Sequence, residues 1–133
     1  MKAYISVSYS NRQSLAGIIN VITATLKEFN IIPLVFVDEY DFSIEEERQM
    51  MRQAFADIDA CDFLIAETSY KAIGIGVEAG YAKAKGKPII YLRNAGAPHS
   101  TTVSGISDHR IIYTDAAGLE KQLTLVIGKS FCS

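Results

Sequence analysis

A glutamate framed by glycines is the part of this 133-residue chain whose residue types and spacing could do chemistry. Glu78 lies in the run 74–80 (GIGVEAG), which we predict to open a helix. A carboxylate in the first turn of a helix is held ionised by the helix dipole and by free backbone N–H groups. Glycines at Gly74 and Gly76 would let the backbone approach a ligand closely. An ionised carboxylate can act as a nucleophile, so we predict a working site around residues 67–80 that centres on Glu78.

The same run has a second, purely structural interpretation. Glu78 would then be a favourable residue at a helix start, and Gly74, Gly76 and Gly80 would only permit tight packing between helix and strand. Residue types alone leave both interpretations open.

Apolar strands alternate with amphipathic helices along the whole chain. Ser10 and Asn11 offer a cap for the first helix, Asn30 can close it, and Ser43 with Glu46 forms a capping box for the second. We predict strands at residues 3–8, 31–37, 62–66, 88–92 and 110–113, with a third helix from 74 to 86 and a last one from about 115 to 127.

This alternation predicts an α/β fold in which helices cover both faces of a parallel sheet. We predict one domain over residues 1–133, a flavodoxin-like three-layer α/β/α arrangement with strand order 2-1-3-4-5. Ligands should then bind beyond the carboxyl ends of the first and third strands, where the order reverses. That geometry would place residues 9–11 beside residues 67–76, so Ser10 and Glu67 join Gly74 and Gly76 as candidate substrate-binding residues.

Composition excludes several classes of function. Hydrophobic residues make up 49% of the chain, which is typical of a globular protein. The formal net charge is −2 and the 13 lysines and arginines are scattered, so the chain has no cluster of positive charge of the kind that binds polymeric nucleic acid. Cys61 and Cys132 are too few for a disulfide framework and are interpreted as thiols. Neither a signal peptide nor an apolar run long enough for a bilayer is visible, so we expect no membrane association and a cytoplasmic location.

The segment from residue 62 through the glycine-framed glutamate to Gly86-Lys87-Pro88 resembles the nucleoside 2-deoxyribosyltransferase family, and is most similar to its nucleotide N-glycosidase branch. The resemblance covers about three-quarters of the chain in order and spacing. It implies that Glu78 attacks the anomeric carbon of a deoxyribosyl group. Such a reaction passes through an oxocarbenium-like transition state, and a retaining route uses the carboxylate as a covalent nucleophile.

Other positions take their expected roles from the same resemblance. It implies that Tyr4 lies near the sugar and the nucleophile, and that Ser8 helps to hold a 5′-phosphate. Residues 98–105 match a stretch that reaches into the site of a neighbouring subunit, with Thr102 at a phosphate-binding position. The resemblance therefore implies a homodimer or higher homo-oligomer, although Tyr4 and Ser8 could equally be core residues, and residues 98–105 could be a capped short helix in a loop.

The chain departs from the family pattern at the position of the helper acid. The family carries an aspartate on the second helix, eight residues before the position of Asp62, where this chain has Ala54. Asp57 lies one turn further from the expected site. Glu47, two turns earlier on the same helix face, is our candidate substitute.

Phosphate recognition also departs from the pattern. Ala72 replaces the serine of the nucleotide branch, Val7 replaces a glycine and Ser10 an arginine. Phosphate recognition is therefore expected to be weakened, or rebuilt with Arg12 and Lys71. The default interpretation of Arg12 and Lys71 is that both are solvated surface residues.

We expect neither a metal nor a cofactor, because His99 and His109 are too few and too scattered for a metal centre. The leading hypothesis is cleavage or transfer of the N-glycosidic bond of a deoxynucleoside or its 5′-monophosphate. The second is a catalytically weak module of the same fold that binds a nucleotide as a sensor, which the loss of the acid at Ala54 would favour. The third is a TIR-like NAD glycohydrolase, because residues 5–10 (ISVSYS) resemble the opening strand of that family.

Overall fold

A five-stranded parallel sheet forms the middle layer of the computed structural model, which describes residues 1–132. Its order is β2-β1-β3-β4-β5 and every neighbouring pair is parallel, as the alternation of strands and helices predicts. The strands are β1 (Lys2–Ser6), β2 (Ile32–Val35), β3 (Phe63–Glu67), β4 (Ile89–Asn94) and β5 (His109–Tyr113).

Helices cover both faces of the sheet. They are α1 (Ala16–Glu28), α2 (Phe36–Glu39), α3 (Glu47–Ala60), α4 (Ile73–Ala84), α5 (Thr101–Gly105) and α6 (Ala116–Ser130). The first and last helices, α1 and α6, pack on one face, and α3 and α4 pack on the other. This three-layer arrangement confirms the predicted fold class.

Side chains of β1 alternate between the two faces. Ala3, Ile5 and Val7 join the core beneath α1 and α6, whereas Tyr4 joins the core beneath α3 and α4. Because the period of a strand is two, Ser6 must share the face of Tyr4. Full burial of each large apolar side chain contributes roughly 1.5–3 kcal/mol, which fixes this register.

Several predicted boundaries are wrong by two or three residues: β1 ends at Ser6 rather than at residue 8, β4 at Asn94 rather than at 92, and α6 at Ser130 rather than at about 127. The second strand ends at Val35 rather than at residue 37, because the chain turns into α2 and packs the Phe36 ring 5.8 Å from that of Tyr4. The first helix begins at Ala16 with Leu15 at its N-cap, so the predicted cap residues Ser10 and Asn11 lie in a separate short 3-10 turn at Tyr9–Asn11.

Most of the predicted helix ends are confirmed. Asn30 has a φ of 57° and Gly86 a φ of 72°, the left-handed conformation that follows a helix. The capping box forms, with the backbone N–H and the hydroxyl of Ser43 donating to Glu46 at 3.0 and 2.9 Å. A 3-10 turn at Ile44–Glu46 separates it from α3.

Candidate active site

Glu78 lies in the second turn of α4, which packs against β1 and β3. The helix begins at Ile73, so its first turn contains no acidic residue. The prediction that a first-turn position keeps Glu78 ionised is therefore wrong, since the free N–H groups and the dipole act within the first turn.

Hydroxyl groups from β1 contact the Glu78 carboxylate instead. The Oγ of Ser6 donates a hydrogen bond of 2.7 Å to Oε1 of Glu78, and Ser6 is only 1% exposed. Burial raises the pKa of Glu78, while the hydroxyls of Ser6 and Tyr4 lower it in part. The site thus holds a largely dehydrated carboxylate whose charge is stabilised by neutral donors.

Tyr4 lies beside this carboxylate with a buried hydroxyl. Its side chain is fully buried, and its Oη lies close enough to Glu78 to lower the pKa of that carboxylate but forms no well-aligned hydrogen bond with the described residues. Burial, together with the nearby Glu78 charge, raises the pKa of Tyr4, so the phenol stays protonated and remains a donor. A buried donor without a partner is costly, and a polar group of a ligand would satisfy it.

A cavity of about 580 Å³ opens at Glu78, beyond the carboxyl end of β1. The predicted site residues Ser8, Ser10 and Gly74 line it together with Glu78. Methionines of α3, at positions Met50 and Met51, close another side. The topological argument from strand order therefore located the cavity correctly.

Three aromatic rings on α2 and the following loop form one wall, here named the aromatic platform: Phe36, Tyr40 and Phe42. Their centroids lie 5.1 to 6.3 Å apart, and the Phe36 ring continues the platform to Tyr4. The hydroxyl of Tyr40 donates to Asp57 at 2.8 Å, and Gln53 donates to the same carboxylate at 2.9 Å. The platform is therefore held in place from α3, and it offers π faces on which a planar base can stack.

Polar side chains line the cavity from the segment after β1 and from the loop before α4. Ser8 is buried and its Oγ accepts a hydrogen bond of 2.9 Å from Asn11. Lys71 is the one lysine or arginine lining the cavity among the described residues. Arg12 does not line the cavity; its Nε and Nη2 donate to the two carboxylate oxygens of Asp38 at 2.7 Å each, which agrees with the alternative of a surface residue.

Gly76 and Thr102 line a second, smaller cavity of about 310 Å³. It shares the wall formed by Lys71, Ala72 and Ile75 with the first cavity. The structure therefore places these two predicted residues next to the site of Glu78 but not inside it.

Glu67 lies on the opposite face of the sheet. It is fully buried at the end of β3, where Tyr113 Oη and the backbone N–H of Ser69 each donate to its carboxylate at 2.6 Å. Burial raises the pKa of Glu67, and these donors lower it in part. The structure does not bring Glu67 to the Glu78 cavity, because residues at odd positions of β3 face α1 and α6.

The predicted substitute for the missing helper acid, Glu47, does not reach the cavity, and neither does Asp57, which was expected to lie further away. Glu47 is exposed outside it, and Asp57 is held by Tyr40 and Gln53. Ala54 is fully buried in the core of that face. The carboxylate that does line the cavity with Glu78 is Asp41, on the loop after α2.

Sequence reasoning missed Ser6 and Asp41. Ser6 had a usable signal, since it follows Tyr4 by two residues and a strand places both on one face. Asp41 had none, because the loop that presents it follows a strand end that was predicted two residues too late. The structural interpretation of the glycines is wrong for Gly76 and Gly80, where an added Cβ would meet no atom within 4 Å.

Comparison with known proteins identifies the family to which this chain belongs. Residues 4–123 match the sequence model described as Nucleoside 2-deoxyribosyltransferase, which is most of the chain. The chain belongs to this family. The match includes the residues 5–10 that resemble a TIR opening strand.

Individual relatives agree with the assignment. A protein of Thermofilum pendens named "Putative 2′-deoxynucleoside 5′-phosphate N-hydrolase 1" is 26% identical over 96 residues, which are 69% of this chain and 67% of the relative. The CMP N-glycosidase of Clostridium botulinum superimposes with a TM-score of 0.69 at 24% identity, over 94% of this chain and 99% of its own. The 2-deoxyribosyltransferase of Bacillus psychrosaccharolyticus gives 0.66 at 18% identity, over 90% of each chain. The family match therefore carries the assignment to the nucleoside 2-deoxyribosyltransferase family, and the two solved structures support the fold.

Residues 1–132 lack two further features that would point to other functions. None of the helices there combines the length and the hydropathy needed to cross a membrane. The same residues contain no group of three or more His, Cys, Asp or Glu side chains placed to hold a metal ion.

The raised pKa of Glu78 makes a prediction about stability. A carboxyl group whose pKa is higher in the folded than in the unfolded chain loses part of its contribution to stability as the pH rises from about 4.5 through the folded pKa. Glu78→Gln removes the charge and keeps an oxygen that accepts from Ser6. We expect the variant to melt at a higher temperature than the wild type near pH 8, with a gain that shrinks as the pH falls through the folded pKa.

Thermal denaturation followed by circular dichroism across this pH range measures the effect. Glu120→Gln, at an exposed position of α6, controls for the loss of one formal charge. A Glu78→Gln variant that is no more stable than the wild type at any pH would contradict the burial of an ionisable carboxylate.

Proposed function

We propose that this protein cleaves or transfers the N-glycosidic bond of a deoxynucleoside or deoxynucleoside 5′-monophosphate, with Glu78 as the nucleophile. The observation that carries the proposal is the Glu78 carboxylate, bonded to Ser6 and open to a cavity of about 580 Å³ with an aromatic wall. A base stacked on the platform and a sugar beside Glu78 would fill such a cavity. The names of the relatives, which include an N-hydrolase, an N-glycosidase and a deoxyribosyltransferase, agree with this reaction class.

The first half of the reaction forms a covalent intermediate. A carboxylate oxygen of Glu78 gives an electron pair to the anomeric carbon, C1′, while the bond from C1′ to the base nitrogen breaks and its electron pair leaves with the base. In the second half, water or an acceptor base attacks C1′ and the bond to Glu78 breaks, which regenerates the carboxylate. The Tyr4 hydroxyl, which is without a partner, would donate to the ring oxygen of the sugar or to the carboxylate as charge develops.

Asp41 is our candidate for the missing helper acid. It lines the cavity, belongs to the loop that carries two rings of the aromatic platform, and would therefore lie at the base rather than at the sugar. In this role it gives a proton to the departing base nitrogen and takes one from the attacking water. General acid–base help of this kind contributes roughly 10²- to 10⁴-fold to a rate.

A homodimer belongs to the same proposal. The family resemblance brings Thr102 of one subunit to the site of its neighbour, and the outward side of α4 is apolar, with Ile73 89% and Val77 42% exposed. We expect a dimer or larger homo-oligomer in sedimentation velocity at micromolar concentration. A monomer at every concentration would contradict this part of the proposal.

The central test is base release by the wild type and by Glu78→Ala. Each protein is incubated with deoxynucleosides, their 5′-monophosphates and the ribonucleotide CMP, with and without an acceptor base, and free base is followed by chromatography. We expect wild-type release and a loss of roughly 10³-fold or more in Glu78→Ala, because the nucleophile is gone. Full turnover by Glu78→Ala would overturn the mechanism.

The same experiment separates the enzyme from the alternative of a binding module. The motive for this alternative is Ala54, a fully buried alanine at the position where the family carries its helper aspartate, because loss of that acid would weaken catalysis. Nucleotide binding in calorimetry with no base release by the wild type over long incubation would favour the module.

Asp41→Asn tests the helper acid. We expect turnover of natural deoxynucleosides to fall roughly 10²-fold, because the base must leave with less proton transfer. A 4-nitrophenyl deoxyriboside, whose leaving group departs as a stable anion, should be nearly unaffected. Glu39→Gln, an exposed change on α2 outside the cavity, is the matched control. Equal losses on both substrates would contradict the assignment.

Lys71 and Arg12 are expected to differ in their effect on binding of the 5′-phosphate. Lys71→Ala should weaken the apparent affinity for nucleotides roughly tenfold, seen as a higher KM, and leave nucleosides unchanged, because a charged contact to phosphate is lost. Arg12→Ala should not alter the preference between nucleotide and nucleoside, since that guanidinium is occupied by Asp38. Steady-state kinetics on both substrate types decides, and a larger effect from Arg12 would reverse the assignment.

A further inference from the structure

We propose that Ser6 is a positioning residue, which fixes Oε1 of Glu78 and leaves Oε2 as the oxygen that attacks the sugar. The inference deepens the proposed function and rests on it. It assigns different roles to the two oxygens of one carboxylate, and it uses a residue to which the family resemblance gives no role.

The first observation is the contact itself. Ser6 Oγ donates to Oε1 of Glu78 at 2.7 Å, the short distance of a hydrogen bond to a charged acceptor. Ser6 is 1% exposed at the end of β1, so its hydroxyl has little freedom to turn to water. This bond links the sheet to α4 and restricts rotation of the carboxylate about its last torsion, which is otherwise soft.

The second observation concerns the other oxygen. Ser6 does not reach Oε2 of Glu78, and no other described residue makes a well-formed hydrogen bond to it, although the Tyr4 hydroxyl lies close enough to the carboxylate to lower its pKa. Oε2 lies 3.8 Å from the point where a Cβ on Gly74 would stand. Gly74 also lines the cavity. The missing side chain at Gly74 therefore leaves open space beside the oxygen without a donor, on the side from which a sugar would approach.

The division of roles follows from these two contacts. An oxygen whose electron pair is already engaged by a hydroxyl is the weaker nucleophile, and the free oxygen is the better one. In the reaction Oε2 would form the bond to C1′ as the bond to the base breaks and its electron pair leaves with the base. The hydrogen bond from Ser6 keeps the carboxylate plane in a near-attack orientation throughout.

Other groups face this carboxylate and must be considered in any pH measurement. The titratable side chains that line the cavity or act on Glu78 and Tyr4 are Tyr9, Tyr40, Asp41 and Lys71 from loops and turns, Tyr4 from β1, Asp57 from α3 and Cys61 at the end of α3. Ser6 is the residue that donates a hydrogen bond to Oε1, so removing its hydroxyl removes that hydrogen bond.

The test compares wild type, Ser6→Ala and Ser6→Thr on the best substrate of the base-release panel. We expect Ser6→Ala to lower kcat by roughly 10- to 100-fold with little change in KM, the loss that one hydrogen bond to a charged group predicts. The acidic limb of its pH profile should move to higher pH, because the hydroxyl that lowers the pKa of Glu78 is gone. Ser6→Thr, which keeps the hydroxyl, should restore both.

Ser107→Ala is the matched control. Its hydroxyl is also buried and donates one hydrogen bond, to the carbonyl of Val103, away from Glu78. It should change neither kcat nor the pH profile, even if it lowers the melting temperature. A general effect of deleting a buried hydroxyl would instead appear equally in both variants and overturn the inference.

A glycine pair tests the assignment of the attacking oxygen. Gly74→Ala puts a methyl group beside Oε2 and should lower kcat/KM by roughly tenfold or more. Gly17→Ala is matched to it, since Gly17 is likewise the second residue of its helix and an added Cβ meets nothing within 4 Å. Equal kinetics for both alanine variants would show that the space beside Oε2 is not used.

Failure of this inference can be distinguished from failure of the proposed function. An active, Glu78-dependent wild type with an unchanged Ser6→Ala variant overturns the role of Ser6 alone. A wild type that is inactive on the whole panel overturns both proposals. In the free protein, a carbon-13 titration of Glu78 should show its pKa higher in Ser6→Ala than in the wild type, and equal values would independently contradict the contact.

Discussion

The burial of one carboxylate between β1 and α4 is the constraint on which the rest of the site depends. An ionised carboxylate loses hydration when it is buried, so nearby donors have to replace the lost water. β1 supplies them from one face, where Ser6 bonds to Glu78 and the Tyr4 hydroxyl lies close by. Because α4 brings the carboxylate and the sheet brings the donors, the packing of α4 on β1 is also what assembles the site.

Burying the Glu78 carboxylate between helix and sheet costs free energy, which its hydrogen-bond donors offset only in part. A hydrogen bond to a charged group contributes about 1.5–3 kcal/mol, less than the full cost of removing a carboxylate from water. The raised pKa of Glu78 is the sign of that imbalance. The apolar residues that flank it, such as Ile75 and Ala79 on α4, hold the helix in place and offset the cost by their burial.

Much of the fold and part of the site could be predicted from the sequence. The order 2-1-3-4-5 follows from the alternation of elements and the handedness of crossovers, and it located the cavity at the switch point. Glu78 was found from its glycines and from family likeness. Glu67 was misplaced because proximity to a strand end does not say which face of the sheet a side chain occupies. The start of α4 was predicted within one residue, but Glu78 was assigned to its first turn although it is the sixth residue of the helix and lies in the second.

The early end of β2 has a consequence of a different kind. Since the chain leaves the sheet at Val35, the aromatic platform and Asp41 occupy one continuous stretch, residues 36–42, outside the sheet. The groups that hold the Glu78 carboxylate lie elsewhere, on β1 and α4. The chain therefore presents one wall of the cavity from a single short stretch, which changes in that stretch could reshape while β1 and α4 keep the carboxylate in place, provided that the Phe36 ring still packs on Tyr4.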